Sequence, residues 1–218
     1  MTRSTTILAS NISKAFGKKK VISHLSFSVV QGECVLLLGA NGSGKTTLMK
    51  VLATLFTIDE GDLVIDGLNL SGNECLIRSR IGFLGHEPLV YSHLTVKENL
   101  RFYSVLHQIS SQNSKTCDVM EFVGLASYRD IQAGMLSHGL IKRISMARIM
   151  LYRPKILLLD EPETGLDKTG IVVLEKLIKE NKSNGGSVII ATHNPEITVS
   201  LADKILVLND GKVIPSAV

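Results

Sequence analysis

The eight residues "GANGSGKT", 39–46, constrain this chain more than any other stretch. They match G-x-x-x-x-G-K-[ST]. They follow "ECVLLLG" (33–39), a continuous apolar run of strand length, and precede a helical pattern expected over 45–55. A strand that runs through a glycine-rich turn into a helix curls successive backbone N–H groups around an anion, with the positive end of the helix aimed at it. Gly39, Asn41, Gly42, Ser43, Gly44, Lys45, Thr46 and Thr47 are therefore the candidate phosphate-binding residues. Lys45 is expected to reach the β- and γ-phosphates of a nucleotide, and the Thr46 hydroxyl to take one Mg²⁺ position. A chance lysine in a glycine-rich turn would not bring both the strand and the helix with it.

Two further apolar runs, "KILLLDE" (155–161) and "SVIIATH" (187–193), have the same buried-strand character. Between them, residues 167–184 place Ile171, Leu174, Leu177 and Ile178 on one helical face, with Asp167 positioned to cap the helix. Buried strands alternating with amphipathic helices imply a mainly parallel sheet covered on both faces. Alternating stretches at 25–30 and 63–66 suggest an antiparallel β flank. Residues 95–152 show helical patterns, broken by the polar stretch "SSQNSK" (110–115). The end, "KILVLNDGKVI", reads as strand, Asp-Gly turn and return strand. The expected fold is a single α/β domain over 1–218: a phosphate-loop core with its β flank at about 1–94 and 153–218, and an inserted helical subdomain at about 95–152.

Composition narrows the class. With 218 residues and 44% hydrophobic content, the chain can bury a sizeable core. Its apolar runs fall far short of the ~20 residues a membrane helix needs. The start, "MTRSTTILAS", has no leader-like apolar core, and a cytosolic location is expected. Cys34, Cys75 and Cys117 lack metal or disulfide spacing and read as reduced, mostly buried thiols. A net charge of +4 is mild, and its densest run, Lys18-Lys19-Lys20, reads as a solvated hairpin turn. Nucleic acid is not an expected partner.

The run "ILLLDEP" ends in two acids, Asp160 and Glu161. Ligands of parallel sheets bind outside the carboxyl ends of the strands. Asp160 is thus a candidate Mg²⁺ ligand, and Glu161 a candidate base that polarises an attacking water. Either acid alone could cap a helix, but that does not explain both together with a phosphate loop.

The order "GANGSGKT", "LSHGLIKR" (136–143), "ILLLDEP", "TGLD" (164–167), "ATH" (191–193) resembles the ATP-binding-cassette (ABC) ATPases over essentially the whole chain. The resemblance implies ATP and Mg²⁺ as ligands. It implies that Ser137 and Gly139, in the signature stretch, contact the γ-phosphate held by a second copy. Asp167 then belongs to a loop that crosses the dimer, and His193 to a switch that contacts the γ-phosphate. Phe16, in "SKAFGKK", aligns with an aromatic residue that stacks on adenine; alternatively it is an apolar residue of an edge strand. Since a signature completes the partner's site, the resemblance implies a head-to-tail homodimer closed by ATP.

It also gives meaning to "FLGHEP" (83–88). Most members carry glutamine where this chain has His86, in a loop that senses Mg²⁺ and the attacking water and contacts a membrane partner. His86 is accordingly a candidate catalytic and metal-sensing residue, and residues 86–103 are where polytopic membrane subunits are expected to dock. Histidine here, followed by "LTVKENLRFYSVLH", resembles the ATPase branch of cytochrome c maturation, which implies a haem exporter and a place at the cytoplasmic membrane face. Another small exporter, or a soluble ABC ATPase such as an iron–sulfur assembly factor, stays open. The signature departs from the family at His138 and Leu140, where glycine and glutamine are usual. Glu163 is an uncommon acid in that stretch and receives no role.

Overall fold

The computed structural model describes residues 4–109, 112–196 and 198–215. They form two compact units. The first comprises Lys155–Pro162 together with the described parts of Met1–Phe83 and Ile178–Val218; the second comprises Leu84–Pro154 and Glu163–Leu177.

In the first unit, β1 (Thr5–Phe16) and β2 (Lys19–Val30) are long antiparallel strands; β2 buries every second residue over 25–30, as a strand with one covered face does, and register shifts interrupt that alternation in β1. With β4 (Glu60–Ile65) and β5 (Leu68–Asn69) they form a sheet in the order β2-β1-β4-β5. The three strands β3 (Cys34–Leu38), β7 (Ile156–Asp160) and β8 (Ser187–Thr192) are buried almost throughout, as parallel strands covered on both faces require. They belong to a second sheet, β10-β9-β3-β8-β7-β6, with β6 (Ile81–Leu84), β9 (Lys204–Asn209) and β10 (Lys212–Pro215). Strands β9, β3, β8 and β7 run parallel, and β10 returns antiparallel after the expected Asp210-Gly211 turn. One apolar cluster draws on both sheets and on α1 (Lys45–Leu52), for example Ile7, Ile12, Leu37, Met49, Leu158 and Ile189.

Two expectations shift. Helix α1 ends at Leu52, short of the expected 55, where residues 53–56 turn back onto the Met49, Lys50 and Val51 carbonyls. Strand β1 lies between β2 and β4, so Phe16 is not on an edge strand; β2 and β5 are the edges.

The second unit is helical: α3 (Val96–Leu106), α4 (Gln112–Phe122) and α5 (His138–Tyr152) pack on one another. Residues 110 and 111 of the expected linker lie outside the described residues, but α4 starts at Gln112, within it. Helix α3 opens with a capping box in which Thr95 and Glu98 satisfy each other's backbone N–H groups. Helix α6 (Lys168–Ser183) continues from the second unit into the first, and it buries Val173, Leu174, Leu177 and Ile178. The remaining helix, α2 (Glu74–Arg80), belongs to the first unit.

Candidate active site

The phosphate loop leaves β3 and enters α1 through Gly44, whose φ of 105° is left-handed and suits glycine. Gly39 is needed for space: a Cβ there would lie 2.5 Å from the Leu208 carbonyl oxygen and 2.6 Å from Ser43 Oγ. Helix α1 has no side-chain cap and no acid in its first turn, so its leading N–H groups keep their positive partial charge for an anion. Buried Lys45 donates from Nζ to the carbonyls of Gly39 (2.6 Å) and Ala40 (3.1 Å). An ammonium has three donors, so one remains for a ligand. Ser43 Oγ is buried with no hydrogen-bond partner among the described residues. Asn41 and Gly42 are exposed in the loop, and Thr46 and Thr47 are half-buried in the first turn of α1. Uncapped amides, a spare ammonium donor and an orphaned hydroxyl around one turn are what a polyphosphate would satisfy.

Strand β8 lies between β3 and β7, with Leu38 opposite Thr192 and Asp160 opposite Ala191. The phosphate loop, the two acids and His193 therefore leave the carboxyl ends of three adjacent strands. Asp160 is 1% exposed. Glu161 takes a φ of 48°, a left-handed turn that costs a non-glycine residue about 1 kcal/mol, while its N–H still donates to the Ala191 carbonyl at 2.8 Å. That turn ends the strand's alternation and brings Glu161 Oε1 to 2.9 Å from His193 Nδ1. In the tautomer that carries its proton on Nδ1, that proton faces the carboxylate and Nε2 is left for a ligand. Phe16, 46% exposed, meets the edge of Phe56 at 5.3 Å, with Lys14 Nζ 5.6 Å from its ring centre. On the adjoining β2, the Val21 carbonyl would lie 3.0 Å from a Cβ on Gly44, so this hairpin abuts the phosphate loop.

The other candidates belong to the second unit. Ser137 caps α5, its hydroxyl accepting from the Leu140 N–H at 3.4 Å, and it is exposed together with His138. Asp167 caps α6 by accepting from the Gly170 N–H at 2.8 Å, and it pairs with Arg143. The Gly170 N–H and then the Arg143 guanidinium hold its carboxyl below the usual range. His86 is exposed in the bend after β6. The loop beyond it is built by side chains that sequence patterning did not single out. Buried Asn99 accepts from the Tyr91 N–H and donates to the carbonyls of Tyr91, Leu94 and Thr95. Ser145 donates to the Pro88 carbonyl at 2.6 Å, and Tyr103 to that of Leu89 at 2.6 Å. Leu89, Tyr91 and Phe102 remain 41–47% exposed, with Tyr91 and Phe102 edge to face at 5.0 Å.

Residues 22–164 match the family model described as "ABC transporter". The chain belongs to the ABC transporter family. It is 37% identical over 183 residues to the "Cytochrome c biogenesis ATP-binding export protein CcmA" of Aliivibrio fischeri, covering 84% of this chain and 89% of that one. It is 30% identical over 208 residues to the "Linearmycin resistance ATP-binding protein LnrL" of Bacillus subtilis, covering 94% of this chain and 67% of the relative. Its fold matches the dimeric ATP-binding cassette MJ0796, solved in a post-hydrolysis state with ADP and Pi, at a TM-score of 0.86 and 24% identity, over 95% of this chain and 96% of that one. This ABC protein is thus an ATP-binding, ATP-hydrolysing transporter subunit with the cassette fold. Among the described residues, no helix is long and apolar enough to cross a membrane.

Proposed function

We propose that this ABC ATPase hydrolyses ATP between two copies of itself and drives membrane subunits of the haem-handling exporter of cytochrome c maturation. The observation that carries the chemistry is the Glu161–His193 pair at the carboxyl ends of two neighbouring strands, beside the phosphate loop. Ser43, Lys45 and the leading amides of α1 hold the β- and γ-phosphates, Thr47 supports the same turn, and Phe16 stacks on the base. Glu161 takes a proton from the attacking water as its oxygen bonds to the γ-phosphorus and the bond to the ADP oxygen breaks. His193 orients that carboxylate through Nδ1 and offers Nε2 to the γ-phosphate.

The donors present suit Mg²⁺. Thr46 and Asp160 supply oxygen, and a cation held mostly by substrate phosphates and water needs few protein ligands. Mg²⁺ would neutralise charge on the phosphates. His86, where most of the family carries glutamine, keeps the sensing role that the family likeness implies for that position. Ser137, Gly139 and Asp167 serve the site of the second copy, where helix-start amides act on developing negative charge.

Haem export is supported by the likeness to the cytochrome c biogenesis proteins and by the histidine in "FLGHEP". The exposed Leu89 and Tyr91, on a loop braced by Asn99, Ser145 and Tyr103, together with Phe102 on α3, form the surface on which the membrane subunits dock and hold the ATPase peripherally at the cytoplasmic face. Gentle detergent purification of the tagged protein from its own membranes tests this. Polytopic partners with haem absorption are expected. Membrane partners without haem would leave a different exporter, a reading kept open by the 30% identity to the linearmycin resistance protein. Soluble partners alone would overturn transport.

A further inference from the structure

Three contacts stitch the first two turns of α5 to residues 164–167, all within the second unit. A Cβ on Gly139 would lie 2.9 Å from the Gly165 carbonyl oxygen, so only glycine lets the loop come this near. Lys142, 9% exposed, donates from Nζ to the Thr164 carbonyl at 2.9 Å. Arg143 sends one guanidinium arm to the Asp167 carboxylate and another to the Val123 carbonyl at 3.4 Å. Its side chain is 8% exposed, whereas that of Asp167 is 67% exposed. A buried cation therefore grips an exposed carboxylate from behind. The same carboxylate oxygen also accepts from Gly170, so the grip reaches the start of α6.

We propose that Arg143 is a positioning residue: it fixes the loop 164–167 on the signature end of α5, so that Ser137, Gly139 and Asp167 are presented to the second copy as one rigid surface. This rests on the ATP-closed dimer proposed above. A surface of fixed shape loses little freedom on docking, whereas a loop that must be ordered on contact weakens association. A guanidinium fork is suited to holding a carboxylate and a carbonyl at once, which an ammonium point charge cannot reproduce. Arg143 acts through Asp167 and does not itself touch nucleotide.

The test uses the full chain carrying Glu161→Gln, which arrests hydrolysis, with Mg-ATP, and reads dimer formation by sedimentation velocity. Adding Arg143→Gln is expected to weaken dimerisation at least about tenfold, in line with the loss of a charge-assisted bond. ATP affinity of the dilute monomer, read with a fluorescent ATP analogue, should change less than about threefold. Asp167→Asn should weaken dimerisation as well, and the combination with Arg143→Gln should be no weaker than the weaker single change, because both break one contact. Additive losses, or parental dimerisation with Arg143→Gln, would overturn the inference. If Arg143→Gln does not fold, Arg143→Lys keeps the buried charge and decides: dimerisation weakened about threefold or more supports the proposal, and parental dimerisation overturns it. A Glu161→Gln chain that stays monomeric with ATP would overturn the dimer itself and this inference with it.

Discussion

His193 Nδ1 lies 2.9 Å from Glu161 Oε1, although the two residues are 32 positions apart. The pairing of Asp160 with Ala191 brings the ends of β7 and β8 level, and the left-handed turn at Glu161 directs its carboxylate to the imidazole. Glu161→Gln is expected to lower kcat by about 10²–10⁴-fold with little change in ATP affinity, as loss of a general base does. His193→Ala leaves the base in place but unoriented, so a smaller fall of about tenfold is expected. Steady-state phosphate release, with nucleotide binding measured separately, checks both.

Lys45 holds the Gly39 and Ala40 carbonyls while keeping a donor for phosphate. Lys45→Ala removes the donor and leaves two loop carbonyls without it. A loss of ATP affinity of at least about tenfold is expected, consistent with a charged hydrogen bond of about 1.5–3 kcal/mol. Equilibrium titration with a fluorescent ATP analogue reads it.

Asn99 is fully buried and satisfies four backbone groups in residues 91–95. In Asn99→Ala the Tyr91 N–H loses its acceptor, while the three carbonyls keep backbone donors, and a cost of about 1–3 kcal/mol is expected for the orphaned N–H. Urea unfolding should show that loss. Limited proteolysis should cut residues 89–95 faster than in the parent, and co-purification of membrane partners should fall with it.

The Asp167 carboxyl is held below its ordinary 3.8 by the Gly170 N–H and the Arg143 guanidinium. A depressed folded-state value means that the contribution is present above the ordinary value and is lost as the pH falls through the folded one. The difference in melting temperature between the parent and Asp167→Asn should therefore be flat from pH 5 to 8, and should narrow below about 3.8. Thermal melts across that range read it. A difference that changed with pH near neutrality would contradict the ion pair.

Burial pushes the Cys34 thiol up to about 12, whereas Cys75 and Cys117, against the expectation of mostly buried thiols, are exposed. The thiolate is the reactive form. A thiol reagent at pH 8 should label Cys75 and Cys117 in the native protein, and Cys34 only after denaturation. Mass spectrometry of the labelled peptides identifies the sites.

The elements that carry chemistry were legible where one short segment specifies them. The phosphate loop is contiguous, and its glycines, lysine and flanking apolar run describe a strand, a turn and a helix start in a row. The uninterrupted apolar residues of β3, β7 and β8 marked strands buried on both faces, and Asp167 was readable as a helix cap because its partner, Gly170, is three residues away. Strand order and register were not readable, since periodicity encodes which face is buried and not which strand lies alongside. That β8 separates β3 from β7, that β1 is interior, and that Phe16 meets Phe56 follow only from the assembled sheets. The lysine and arginine of "LIKR" carry no local sign of burial. Their burial against residues 164–167 depends on the backbone approach at Gly139 and Gly165. The sequence by itself determined the phosphate loop, the strand-end acids and the family, because those rest on neighbouring residues. Tertiary structure alone decided which acid meets which base and which cation grips which loop, because those contacts join residues 20 or more positions apart whose distance no local pattern sets.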